Sequence, residues 1–314
     1  MEKRKLGKSS LTVAPLAFGG NVFGWTIDEK TSFAILDRFT DSGFNLIDTA
    51  DVYSRWKPGN KGGESETIIG NWLKKSGRRK DVVIATKVGS DMGQGKNLTK
   101  KYILKAVEDS LQRLQTDYVD LYQTHFDDDV TPVEETLDAY GQLVNEGKVR
   151  VIGASNLSPA RFLASLEASK KFGFPTYQTF QPEYSLYVRD KFEKEIESIC
   201  VKNQIGVISY FSLASGFLSG KYRSESDLNK SARGAAVKKY LDDRGFKILK
   251  ALDQVAEEYH TTQTCIAMAW LMARPSITAP IASATNLAQL GELMKAVEIK
   301  LSKSSVEFLN ETSL

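Results

Sequence analysis

Val82-Val83-Ile84-Ala85-Thr86-Lys87 is a short apolar, β-branched run that ends on a lysine. Two neighbouring runs share its form. Asn45-Leu46-Ile47-Asp48 ends on a carboxylate, and Tyr118-Val119-Asp120-Leu121-Tyr122-Gln123-Thr124-His125 ends on an imidazole. Runs of this length and content read as buried strands. Working outward, further runs centre on Pro15–Phe18, Val151–Ala154, Tyr177–Phe180, Val207–Tyr210 and Ala279–Ala282, which makes eight in all. Their continuous apolar character suits a parallel sheet covered by helices on its outer face.

The segments between the runs carry helix signals. Thr31–Phe39 has helical spacing and stops at Gly43, and Thr99 opens a segment whose Ile103, Val107, Leu111 and Leu114 form one apolar stripe. Thr131-Pro132 reads as an N-cap followed by proline at the first helical position, and Ser158-Pro159 repeats the pattern. Alternating strands and helices imply parallel strands joined by right-handed crossovers. Eight such units favour a closed (β/α)8 TIM barrel, an α/β fold, in a single domain over residues 1–314. No GxGxxG follows a strand, and Gly19-Gly20 alone is too weak a signal for a doubly wound dinucleotide fold. Met1–Val13 reads as a β-hairpin plug, Ser212–Gly245 as a long polar interruption, Thr261–Arg274 as an extra helix, and the C-terminal tail as helical.

Composition narrows the function classes. Lys plus Arg number 42 against 39 Asp plus Glu over 314 residues, with no basic stripe, so a nucleic-acid partner is not expected. No apolar stretch is long enough to cross a bilayer and no signal peptide is evident, so no membrane partner is expected and the location read from the sequence is cytoplasmic. Cys200 and Cys265 sit in apolar contexts and read as reduced packing thiols; no Cys/His cluster has metal-ligand spacing, so no metal is expected.

In a barrel the active site lies where strands end and the following loops begin. Asp48, Lys87, His125, Ser155-Asn156, Gln181 and Tyr210-Phe211-Ser212 all fall on that edge, with Tyr53 in the loop after Asp48. Singly, each has a plain alternative: Asp48 as a turn cap, Lys87 as a solvated charge, His125 as a hydrogen-bonded core histidine. Jointly they suggest chemistry at a carbonyl oxygen. A tyrosine is a reluctant acid near neutrality, and an adjacent ammonium lowers its pKa by stabilising the phenolate. Lys87 would be that ammonium, Asp48 its counter-charge, and His125 a donor that holds the carbonyl oxygen. Tyr53 is then the acid in reduction and the base in oxidation. The carbon must receive a hydride that no side chain can give, which implies a nicotinamide cofactor.

Gly43–Ala50, containing Asp48, and Glu66-Thr67-Ile68-Ile69-Gly70 resemble signatures of the aldo-keto reductase family, as do Ala154–Asn156, Gln181–Ser185 and Ala214–Tyr222. The resemblance covers essentially the whole chain and is nearest to the long-loop, bacterial-type branch close to the potassium-channel β subunits. It implies NADP(H) bound in extended form and Asp48, Tyr53, Lys87 and His125 as the catalytic four. It further implies that Ser155, Asn156 and Gln181 hold the nicotinamide carboxamide, with Tyr210 against the ring and Gly20 and Asn21 also at the cofactor. Phe211, Ser212, Leu213, Ser215, Gly216 and Leu218 would follow the pyrophosphate, with Ser219 and Lys221 next to it. Ser283, Thr285, Gln289 and Glu292 would meet the adenosine end.

The chain departs from this pattern in places. Asn45 stands where arginine is common, and Leu293 where asparagine is frequent. Positions 285 and 286 lack the usual lysine or arginine, so Lys221 and Arg233 are the candidates for charge at the 2′-phosphate; NADP(H) is expected in preference to NAD(H). The loop Ser54–Gly63 is longer than in short-loop members. Trp25 and Trp56 form either an aromatic wall of the substrate pocket or a packing contact on the rim. The leading expectation is a reductase of aldehydes and ketones. The alternatives are a cofactor-binding regulatory protein resembling the channel β subunits and a sugar or polyol dehydrogenase working toward oxidation.

Overall fold

The computed structural model describes residues 1–314. Eight parallel strands form one sheet: β1 Ala17–Gly19, β2 Leu46–Asp48, β3 Val83–Val88, β4 Val119–Thr124, β5 Val149–Ser155, β6 Thr179–Gln181, β7 Gly206–Val207 and β8 Ile281–Ala282. β8 pairs with β1. The ring closes between β7 and the run into β8, where Thr278 N and Ile281 N donate to Val207 O and Ser209 O, each at 2.8 Å. The closed (β/α)8 barrel is therefore the observed fold. No helix is long and apolar enough to cross a membrane.

Successive residues of a strand face opposite sides, and that period divides runs that look uniformly apolar. Ile47, Ile84, Val88, Tyr122, Ile152, Phe180 and Val207 face outward and join the main core beneath the helices. Leu46, Val83, Ala85, Leu121, Ile208 and Ile281 have the opposite parity and form a second, inner cluster. Leu6, Leu11 and Val13 of the N-terminal hairpin join that cluster, so the plug fills the barrel floor. Asp48, Lys87, Gln123 and Gln181 continue the inner parity at the other end of the strands. Apolar side chains thus occupy the lower barrel and polar ones the upper mouth.

Several local expectations shift by a few residues. The first helix runs Glu29–Asp41, because Asp28 caps it by accepting from Thr31 N at 2.8 Å. Thr131 is not a helix cap. The helix is Val133–Asn145 with Pro132 at the cap in extended conformation, and Thr131 Oγ1 donates to Asp128 Oδ2 at 2.6 Å. Thr131 N also donates to Asp128 Oδ1 at 2.9 Å, so Asp128 holds the threonine in the preceding turn and the helix starts one residue on. Ser158 does cap Pro159–Phe172, accepting from Arg161 N at 3.2 Å. β8 is shorter than its apolar run because Pro280 lacks an N–H for the ladder. The polar interruption folds into short turns before the helix Asp243–Glu258, and the extra helix spans Gln263–Ala273.

Helices Glu64–Ser76 and Lys100–Leu114 pack side by side behind β2 and β3. Their contact depends on Gly70: a Cβ there would lie 2.1 Å from Arg113 O, against backbone that cannot swing aside. Gly70→Ala should push the helices apart and lower the free energy of unfolding by about 1–3 kcal/mol, measured by urea denaturation with an unchanged m value.

Candidate active site

β2 and β3 set Asp48 and Lys87 side by side, both with inward parity and both essentially out of contact with water. Lys87 Nζ donates to Asp48 Oδ2 at 2.7 Å, Thr49 O at 2.8 Å and Tyr53 Oη at 2.9 Å. An ammonium has three N–H donors and a neutral amine two. Two of these partners, the carboxylate and the carbonyl, can only accept, and Tyr53 gives its own proton to Asp48 Oδ2 at 3.2 Å. The geometry is that of a charged lysine. Burial lowers the pKa of Lys87 from its ordinary value, and Asp48 opposes the shift.

Asp48 Oδ1 is held from the far side. Gln181 Nε2 donates to it at 2.9 Å and Gln123 Nε2 at 3.3 Å, and Gln181 Nε2 also reaches Gln123 Oε1 at 3.3 Å. Gln123 was missed in the sequence reading. Its signal is position alone, two residues before His125 on the inner face of β4. The expectation that Lys87 draws the Tyr53 phenol downward needs correction, since burial first, and Asp48 second, push it well above its ordinary value. Tyr53 therefore keeps its proton throughout the neutral range.

His125 stands opposite, edge-on to Tyr53 at 6.1 Å between ring centres and stacked on Phe126 at 4.7 Å. Burial, then Lys87, hold its pKa well below the ordinary value, so the imidazole is neutral. Its Nδ1 is buried without a hydrogen-bond partner. An unpartnered acceptor costs less than an unpartnered N–H when the ring can choose its tautomer, which places the proton on Nε2.

A cleft of about 970 Å³ opens over these groups. Tyr53, Asp48 and His125 line its deep end with Trp25, Trp56, Val52 and Phe126. Trp25 and Trp56 meet edge to face at 5.6 Å, and Trp56 meets Tyr53 at 5.9 Å, so both tryptophans form a wall beside the phenol. Along the cleft, Asn156 Nδ2 donates to His125 O and to Ser155 Oγ, both at 3.0 Å, and Tyr210 Oη donates to Asn156 Oδ1 at 2.9 Å. Phe211, Ser212, Leu213, Ser215, Gly216 and Ser219 line the next stretch. Phe211, Ala214, Ser215 and Gly216 have φ between 47° and 98°, and the loop closes on itself, with Ala214 N donating to Phe211 O at 2.7 Å and Gly216 N to Leu213 O at 2.8 Å.

Lys221, Lys230 and Arg233 bring positive charge to this wall. Lys230 is paired with Asp227 at 2.8 Å, whereas Lys221 and Arg233 have no carboxylate within salt-bridge distance. Arg233 Nη2 donates to Asn21 Oδ1 at 3.3 Å, and its guanidinium lies 5.5 Å from the Trp25 ring centre. Asn21 Oδ1 also accepts from Ser283 Oγ at 2.7 Å. Farther along, Gln289 Oε1 accepts from Thr285 N at 2.9 Å and Thr285 Oγ1 at 3.0 Å, with Glu292 beside them. Gly20 and Leu218 lie off the cleft wall: Gly20 O accepts from Ser65 Oγ at 2.8 Å, and Leu218 is packed in the core.

The chain also matches known proteins. A sequence profile of the aldo/keto reductase family matches residues 15–313. The chain belongs to the aldo/keto reductase family. Among relatives of this aldo/keto reductase, an uncharacterized oxidoreductase of Bacillus subtilis is 35% identical, with 99% of this chain and 95% of the other covered. A probable voltage-gated potassium channel subunit beta of Arabidopsis thaliana is 33% identical over 95% and 92% of the two chains. An aldo-keto reductase of Alternaria alternata is 32% identical over 98% and 90%. Members of the family are oxidoreductases that generally use nicotinamide cofactors.

The neutral state of His125 is open to measurement. Its ring resonances, followed by heteronuclear NMR, should not shift between about pH 5.5 and about pH 8, where a free histidine titrates. A titration midpoint inside that window would mean a charged imidazole and a different electrostatic site.

Proposed function

We propose that this aldo/keto reductase is a cytoplasmic, single-domain enzyme that reduces aldehydes and ketones with NADP(H), using Tyr53 as general acid. The observation that carries the reading is the buried Lys87 ammonium, 2.9 Å from the Tyr53 oxygen at the floor of an open cleft. A phenol whose pKa is raised is a poor acid alone. It becomes a competent one when its conjugate base forms against a fixed cation in a site that excludes water.

The residues along the cleft fit a dinucleotide. Ser155, Asn156 and Gln181 offer amide and hydroxyl groups beside the acid for the carboxamide. The small, polar lining of Ser212, Ser215, Gly216 and Ser219 leaves room for a pyrophosphate, and Lys221 and Arg233 offer charge without a carboxylate partner. When bound there, the reduced nicotinamide would supply the hydride. Tyr53 Oη would pass its proton to the carbonyl oxygen as that oxygen gains negative charge. Lys87 would stabilise the phenolate, and His125 Nε2–H would orient the oxygen before transfer. Asp48, fixed by Gln123 and Gln181, would keep Lys87 charged and in register. Trp25 and Trp56 would shield the deep end from water and favour flat or apolar substrates. Oxidation of sugars or polyols would use the same groups in reverse.

Tyr53→Phe should lower aldehyde turnover about a thousandfold or more while NADPH still quenches protein fluorescence as in the parent. Retained turnover would remove Tyr53 as the acid. Lys221→Ala should weaken NADPH roughly tenfold, about 1.4 kcal/mol, and NADH less; equal weakening would place the phosphate partner elsewhere. Tight nucleotide binding without turnover on a broad aldehyde panel would favour a regulatory role, like that named for the plant channel subunits.

A further inference from the structure

Behind Lys87 lies a buried carboxyl that the mechanism above does not use. Asp48, Asp51, Glu66 and Lys87 are each at most 3% exposed, and Arg113 reaches in from the surface. Lys87 is matched by Asp48 at 2.7 Å, and Arg113 Nε by Glu66 Oε2 at 2.7 Å. The remaining Glu66 oxygen accepts from Thr86 Oγ1. Both cations are thereby matched, and Asp51 is the carboxyl left over. No side chain donates to it, and its Oδ1 is buried with no hydrogen-bond partner. A carboxylate in that position would be an uncompensated buried charge, whereas a carboxylic acid would leave only a neutral oxygen unpaired.

We propose that Asp51 carries a proton in the resting protein and acts as a positioning residue for the Tyr53–Lys87 pair, limiting the charge around Lys87 to that of one ion pair. The link to Lys87 is short: Asp51 N donates to Lys87 O at 3.3 Å, and Lys87 Nζ binds Thr49 O in the same loop. The groups around the Asp51 carboxyl are Glu66 from one helix, Arg113 and Tyr102 from the next, Tyr140 from the helix Val133–Asn145, Lys87 from β3 and Tyr122 from β4. Burial and then Glu66 push its pKa up to about 8, against Arg113, the Val52 backbone N–H and Lys87. Ionisation would add a negative charge that holds the Tyr53 proton more tightly and slows proton donation to the substrate.

The inference rests on the proposed reductase reading for its kinetic arm only. The turnover number for reduction, at saturating nucleotide and aldehyde, should fall about fivefold from about pH 7 to about pH 9. Asp51→Asn, which mimics the protonated carboxyl in shape, should remove that fall. Glu66→Gln should move it to lower pH, because Asp51 would then lose a repelling charge and gain Arg113.

Two further readouts need no turnover. Infrared spectra should show a protonated-carboxyl stretch in the parent that fades through about pH 8 and is missing in Asp51→Asn. A carboxyl with a raised folded-state pKa keeps its proton where the unfolded chain has lost it, so stability should decline from about pH 4 to about pH 8. The stability of Asp51→Asn relative to the parent should rise across that window and level off above it. Persistence of the alkaline fall in Asp51→Asn, or of the infrared band, would overturn the proposal. If no aldehyde is reduced, the function proposal fails, and the infrared and stability curves still decide Asp51.

Discussion

A lysine ammonium with no contact with solvent constrains everything around it. Removing such an ion from water costs several kcal/mol even after the protein relaxes, and the cost is offset only if each N–H meets an acceptor. Lys87 achieves this with a carboxylate, a carbonyl and a phenol drawn from β2 and the loop after it. The carboxylate must itself be held, which brings in Gln123 and Gln181 from β4 and β6. A single desolvated charge thus fixes the relative placement of four of the eight strands at the barrel mouth. A tyrosine donor at that spot follows from the same demand, because a phenol oxygen can accept from lysine while still carrying a proton.

The strands were legible because their apolar runs are short, β-branched and regularly spaced by helical segments. The active edge was legible for a related reason: Asp48, Lys87 and His125 each terminate such a run, where packing gives no cause for a charge or an imidazole. Gln123 was not, because one glutamine inside an apolar strand looks like a tolerated exception until the parity of neighbouring strands is known. Asp51 escaped for the opposite reason. It sits among loop residues where carboxylates are ordinary, and only the position of Glu66 and Arg113 on separate helices makes it unusual.

Other readings failed where three-dimensional burial decides the sign of an effect. An ammonium beside a phenol favours the phenolate in water, yet here desolvation and Asp48 raise the phenol's pKa, and the phenol stays protonated. The Thr131-Pro132 pair satisfied a helix-start pattern, but Asp128 competed for the threonine hydroxyl and took it. Sequence pattern identifies which groups are unusual; their partners depend on loops whose paths no local periodicity encodes.

The hairpin at the barrel floor has a consequence for traffic. Leu6, Leu11 and Val13 fill the end of the barrel opposite the cleft, so the reacting groups are reached from the mouth. Molecules that share the site therefore arrive and leave through the barrel mouth, where release as well as bond-making can set the throughput.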